Sequence, residues 1–162
     1  MSTLKVGTIQ DHANSITAIS IDSAGRITQP TKPYFSYTNA GQSLASNTQH
    51  TLTPAQLVDQ FGNDYNTGTG EFTAPVTGVY LFNADVKTAD TQTYWMFQHL
   101  TSGGSFIANY IKFQRGAGSN GTTESSGSQI QHMVAGEKMI VKVAHFGSTH
   151  TVYSTYSGYL VS

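Results

Sequence analysis

The stretch Gly70-Glu71-Phe72-Thr73-Ala74-Pro75-Val76-Thr77-Gly78-Val79-Tyr80-Leu81-Phe82 decides the fold of this chain. It opens on a glycine, passes through a Pro-Val-Thr-Gly turn and ends in β-branched, aromatic and aliphatic residues. Such side chains suit a pleated, half-buried surface. Residues 79–82 are apolar on both faces, and a strand of that kind is covered on both sides. Tyr94-Trp95-Met96-Phe97 has the same character. In a two-sheet sandwich one face meets the opposite sheet, so the second face is expected to meet a neighbouring subunit.

The pattern repeats outward from this stretch. Strands are expected at 34–37, 106–113, 128–134, 138–146 and 151–161, separated by clusters of Gly, Asn, Asp and Ser. In 138–146, Met139, Val141 and Val143 share one face and Lys142 lies on the other. Ala135-Gly136-Glu137 makes a tight connection before it. Helical periodicity is nearly absent. The exception is Thr53-Pro54-Ala55-Gln56, where a Thr cap, Pro at the first position and Gln three residues on predict a short helix ending before Gly62. Residues 40–50 read as a polar loop. About eight to ten strands at this spacing indicate a sandwich or barrel.

Residues 1–32 are different. They hold no aromatic residue, and Pro30 and Pro33 mark the boundary. Ile19 and Ile21, an Asp22-Ser23-Ala24-Gly25 turn and Ile27 suggest a small hairpin that cannot build a core alone. The chain is therefore expected to divide into an arm, 1–32, and a body, 33–162.

Composition narrows the function classes. Of 162 residues only 10% are charged, with a formal net charge of −1. That balance gives no electrostatic drive toward nucleic acid or an anionic membrane. No apolar run reaches the roughly 18 residues of a membrane span. Met1-Ser2-Thr3-Leu4-Lys5 lacks the apolar core of a signal peptide. There is no Cys, which removes disulfides, zinc–thiolate sites and cysteine nucleophiles. Ser and Thr make up roughly a quarter of the chain, far above ordinary usage. The surface is thus covered by uncharged polar groups or hidden against partner chains.

Gly70-x-Phe72-x-x-Pro75-x-x-Gly78-x-Tyr80-x-Phe82 resembles the globular head of the first complement component. So does Val134-x-Gly136-Glu137-x-Met139-x-Val141-x-Val143 followed by the terminal Tyr156-Ser157-Gly158-Tyr159-Leu160. That family belongs to the tumour-necrosis-factor-like jelly rolls, and the resemblance spans 33–162. It implies an all-β jelly-roll sandwich of about ten strands that assembles as a homotrimer for binding or scaffolding, not as an enzyme. The collagen stalk and the cysteines of the animal members are absent, so their ligand and calcium residues are not carried over. The segments Leu4-Lys5-Val6-Gly7-Thr8-Ile9-Gln10-Asp11 and 19–27 resemble the N-terminal part of virion-attached fibre and decoration proteins of tailed phages.

In the last strand, Tyr153, Thr155, Ser157, Tyr159 and Val161 share one face. Val152, Ser154, Tyr156, Gly158 and Leu160 share the other. One face is expected to enter the core and the other to approach a threefold axis, where tyrosines supply area and a polar tip. The sequence leaves open which is which. Tyr80, Tyr94, Met96, Tyr156 and Tyr159 are the candidate core or trimer-contact residues.

Chemical motifs are weak. Gly116-Ala117-Gly118-Ser119-Asn120-Gly121 matches a dinucleotide pattern, but no helix follows to hold a pyrophosphate, so 116–127 reads as a loop. Asn120-Gly121-Thr122 is a glycosylation sequon and, equally, a turn. The six histidines lack zinc-site spacing, though a threefold axis offers His99 or His132 a way to meet its copies. Asp59, Asn63 and Asp64 lack the calcium-loop pattern. No nucleophile elbow is present, and the glutamates, Glu71, Glu124 and Glu137, lie near expected turns. No catalytic residue, metal or cofactor is assigned.

The resulting expectation is a structural virion protein, assembled in the host cytoplasm. It would be a capsid decoration, head fibre or small tail component. Its partners are its own copies and, through Leu4, Val6, Ile9, Ile16, Ile19 and Ile21 of the arm, other virion structural proteins. The alternative is a tail-fibre adhesin whose polar loops, including 101–105, 116–127 and 147–150, bind a host surface glycan.

Overall fold

The computed structural model describes residues 6–45, 47–88, 93–114, 123–145 and 149–162. It divides into two units, Met1–Lys32 and Pro33–Ser162. In the smaller one, β1 (Thr8–Gln10), β2 (Thr17–Ile21) and β3 (Ile27–Thr28) form an antiparallel meander in sequence order. Its turns are made by aspartates. Asp11 Oδ2 accepts the Asn14 N–H at 3.1 Å and the Asn14 side-chain amide at 2.8 Å. Asp22 Oδ1 accepts the N–H groups of Ala24 and Arg26, both at 2.9 Å, while Arg26 Nε donates to Oδ2 at 2.6 Å. The Ala13 N–H at Asp11 Oδ1, together with these donors, holds both carboxyls below the usual range. No described residue of this unit is buried.

The larger unit runs through β4 (Tyr34–Thr38), β5 (Gln42–Leu44), β6 (Thr48–Thr51), β7 (Gln56–Phe61), β8 (Tyr65–Asn66) and β9 (Glu71–Thr73). It continues through β10 (Gly78–Thr88), β11 (Thr93–Leu100), β12 (Phe106–Gln114), β13 (Thr123–Met133), β14 (Lys138–His145) and β15 (His150–Leu160). The first sheet has the order β13-β10-β15-β4-β7, with β5 also paired to β15. The second has the order β12-β11-β14-β9-β8, with β6 also paired to β14. The pairings are antiparallel, and together the sheets make a jelly-roll sandwich.

Aromatic residues fill the space between the sheets. Phe35, Phe72, Tyr80, Phe82, Trp95, Phe97 and Tyr156 are all at most 3% exposed. Phe35 stacks on Tyr65 and Phe72 at centroid distances of 5.1 and 5.0 Å and meets the edge of Tyr156 at 4.8 Å. Gly70 has φ +72°, and a Cβ there would run into the Leu52 carbonyl. A Cβ on Gly78 would lie 2.6 Å from Leu160 and 2.7 Å from the Ser162 carbonyl. Phe72, Tyr80 and Phe82 are core. Burial raises the Tyr65 and Tyr156 hydroxyls well above their ordinary value. Their protons are used: Tyr65 donates to the Pro54 carbonyl at 3.0 Å and Tyr156 to that of Met139 at 3.1 Å.

Three expectations are corrected. Residues 54–61 do not form a helix; Gln56–Phe61 is a strand whose backbone pairs with β4 from Gln56↔Thr38 to Phe61↔Tyr34. Tertiary pairing outweighs the cap signal, which had only two turns of helix to support. Residues 40–50 are not simply loop, because β5 and β6 extend the two sheets there. The second face of β11 is covered within the chain: Met96 is 2% and Leu100 7% exposed. β11 lies between two neighbours, and its cross-strand partners on β14 are Lys142 and Lys138, whose aliphatic stems suit such cover. Lys138 is held by Glu71 at 3.0 Å, and the Gln49 amide donates to the Tyr94 hydroxyl at 2.7 Å.

Candidate functional site: the outward face of the first sheet

The register of β15 settles which of its faces is core. Val152, Ser154, Tyr156 and Gly158 are buried, whereas Tyr153, Thr155 and Tyr159 point outward and Ser157 is half-buried. Gly158 is required where Phe82 and Phe35 lie against the backbone. Tyr159, with Tyr153, is therefore on the surface, and Tyr156 and Tyr80 are inside.

The outward side chains line up in rows across the strands. One row runs Ile130, Leu81, Tyr159, Tyr34, Phe61, one residue from each of β13, β10, β15, β4 and β7. Ile130 is 65% exposed and Tyr159, Tyr34 and Phe61 about 40% each, so an apolar band crosses the whole sheet. Five strands spaced about 4.8 Å apart make it roughly 19 Å long. Val79, His132 and Val161 border it on one side. On the other side the rows turn polar: Ser128, Asn83, Ser157, Ser36 and Asp59, then Ser126, Asp85, Thr155 and Thr38.

Hydrogen bonds tie these polar rows across the strands. Ser128 Oγ donates to Asn83 Oδ1 and Thr155 Oγ1 to Asp85 Oδ2, each at 2.7 Å. Tyr34 donates to Asp59 at 3.3 Å, and desolvation and that carboxylate push its hydroxyl above the ordinary value. Lys87 and Glu124 stand 4.0 Å apart. A depression of about 130 Å³ at this end is lined by Thr38, Asn39, Asp85, Lys87, Tyr153 and Thr155. Small-molecule pockets run to roughly 300–1,000 Å³, so this depression is small beside them.

The other expected residues separate clearly. Tyr94 and Met96 lie on the outer face of the second sheet, Met96 buried within the chain and Tyr94 half-buried. His99 points between the sheets, where its Nε2 meets Glu137 Oε2 at 3.0 Å, so it cannot meet copies of itself on an axis. His132 is exposed beside the apolar band. Among the described residues no three His, Asp or Glu side chains gather as metal ligands. In the arm, Val6, Ile9, Ile16 and Ile21 are 42–51% exposed and Ile19 is half-buried, while Leu4 lies outside the described residues. So do Asn120-Gly121-Thr122, the dinucleotide-like run and most of the 116–127 segment; its last residues belong to β13. Sequence reasoning missed Leu81, Ile130, Tyr34 and Phe61 as members of one band. Phe61 fell in the expected helix and Leu81 in a run apolar on both faces, and only strand order brings β7 and β13 to opposite ends of the same row.

A family model, the C1q domain, matches residues 34–161. Among solved structures, the globular domain of zebrafish complement 1qA protein is similar at TM-score 0.68 and 17% identity, covering 81% of this chain and 98% of that one. Eiger TNF from S. frugiperda follows at TM-score 0.56 and 14% identity, covering 81% and 92%. Murine APRIL gives TM-score 0.53 and 15% identity, covering 77% and 98%.

Proposed function

Because this chain belongs to the C1q domain family, we propose that it works as a binding or scaffolding module, a homotrimeric knob carried on an N-terminal docking arm. The apolar band Ile130–Leu81–Tyr159–Tyr34–Phe61 is the observation that carries this reading. It is an uncharged stripe on a sheet face, bordered on one side by Val79, His132 and Val161 and on the other by hydrogen-bonded polar rows, and an apolar centre passing into a polar margin is the layout of an interface. Each copy presents the same stripe, so closed symmetric association covers all of them. Self-association also gives the low charge of the chain a cause: part of its surface is interior in the assembly.

The particle we propose is a tailed-phage virion, with the knob as a capsid decoration, head fibre or small tail component. The arm supports this reading because none of its described residues is buried and because its sequence resembles virion docking segments. Among the described residues β1 and β3 are the outer strands of its sheet, and such edges can extend a scaffold sheet. The apolar residues Leu4, Val6, Ile9, Ile16, Ile19 and Ile21 then find cover on the scaffold or on neighbouring copies. Three arms per knob multiply a weak contact. The test is particle binding by the full chain and by a chain lacking residues 2–28. The deletion is expected to leave the knob folded and abolish binding. Undiminished binding by the deleted chain would refute the docking arm, and binding to host-surface glycan instead of particles would favour an adhesin.

A further inference from the structure

The arm has two unlike faces. Register places Ile9 opposite Ile19 and Ile21 opposite Ile27, so four isoleucines share one face of the meander. Thr8, Ser20 and Thr28 share the other, where the Ser20 and Thr28 hydroxyls are 2.5 Å apart. The isoleucine face carries no charge and is uncovered: Ile27 is 68%, Ile9 51% and Ile21 42% exposed. Both aspartate turns are closed by their own donors, so the sheet keeps its shape without a core.

Size and tether length identify the occupant. Four isoleucines at these exposures present on the order of 300 Å², against the roughly 800 Å² per partner of a standard interface. That is too little to hold a freely diffusing partner. It suffices for a partner already held nearby. β3 ends at Thr28 and β4 begins at Tyr34, so five residues, two of them proline, join arm to knob. Five extended residues reach less than about 20 Å. On the homotrimer reading, a tether this short holds the three arms at an effective concentration of about millimolar for one another.

We propose that the isoleucine faces of the three arms close on one another, making the arm a second, tethered association site of the trimer. This rests on the homotrimer reading above. It assigns Ile9, Ile19, Ile21 and Ile27 to arm–arm contact and leaves the strand edges, Val6 and Ile16 for docking.

The absence of native cysteine makes the test specific. Full-length Ile21→Cys and Ile27→Cys chains report on the apolar face, and Thr28→Cys on the polar face. Each is treated with a short bismaleimide at low micromolar protein, and its mass in solution is measured without crosslinker. The expected result is a trimer for all three, with crosslinking at least tenfold faster for both isoleucine positions than for Thr28→Cys. Equal rates in intact trimers would overturn arm closure and leave the trimer standing. Rapid crosslinking of Thr28→Cys alone would show that the polar faces meet and would equally overturn it. A monomeric mass for every variant and for the parent chain would refute the trimer reading and this inference with it.

Discussion

Replacing Gly158 with alanine tests the seat of β15, on which the outward face depends. A Cβ at 158 would lie 2.6 and 2.9 Å from Phe82 ring carbons and 2.7 Å from a Phe35 carbon. Neither ring can swing away easily. Phe82 has Phe72 at 5.4 Å and Phe97 at 6.4 Å, and Phe35 has Tyr156 at 4.8 Å and Tyr65 at 5.1 Å. Overpacking of a tight core costs up to about 3 kcal/mol. The lower entropy loss of alanine on folding returns roughly 0.5–1 kcal/mol. The net loss is therefore about 2 kcal/mol, or roughly 4–8 °C in melting temperature for a chain of this size. Thermal and denaturant unfolding at fixed protein concentration measures it, since association links stability to concentration. Gly103→Ala is the control, because its nearest neighbour, Thr101 Oγ1, lies at 3.9 Å. Equal stability of the two variants would mean that the even-numbered residues of β15 do not rest on the aromatic core, and the band of outward residues would fall with them.

Other outcomes follow from the same structure. Glu137→Ala removes the acceptor of both His99 Nε2 and the Val134 N–H, at 3.0 and 2.9 Å, and is expected to cost about 1–3 kcal/mol in denaturant unfolding. Tyr65 and Tyr156 hold their protons above the ordinary value. The unfolded chain releases them near pH 10 and the folded chain does not, so stability is full below that pH and falls as pH rises through it. Denaturant titrations at rising pH check this, and Tyr65→Phe should flatten the decline. Asp22→Ala removes the acceptor of two backbone N–H groups and of Arg26. It should speed amide exchange across residues 20–28 while leaving the knob's melting temperature unchanged.

The parts of the fold that were legible in the sequence are those with strict alternation. Met139, Val141 and Val143 mark the inner face of β14, and the even positions of β15 mark its core side once burial identifies them. Two-sided apolar strands were legible as strands but not in their consequence. On β10 the second face, with Val79 and Leu81, stays half-buried and available, whereas on β11 long neighbours close over Met96. Both strands stand second from a sheet edge, so the difference lies in the side chains on the neighbouring strands, such as Lys142 and Lys138 beside β11, which local pattern does not carry. The cap at Thr53 failed for a similar reason. Its neighbour Leu52 N–H is already bound to the Val141 carbonyl at 2.8 Å and Thr53 N–H to Gln42 Oε1 at 3.1 Å, so long-range pairing had claimed the segment. The arm's isoleucines were visible individually, but the meander that gathers Ile9, Ile19, Ile21 and Ile27 on one face depends on register.

The most direct test of the homotrimeric knob is sedimentation equilibrium of the full chain at micromolar concentration, beside Leu81→Asp. Leu81 sits inside the apolar band, half-buried between Ile130 and Tyr159, where a carboxylate would be left unpaired on association. The parent chain is expected at three times 17.4 kDa, and Leu81→Asp as a folded species of lower mass. A folded parent chain that remains a monomer at that concentration would contradict the assignment of this face.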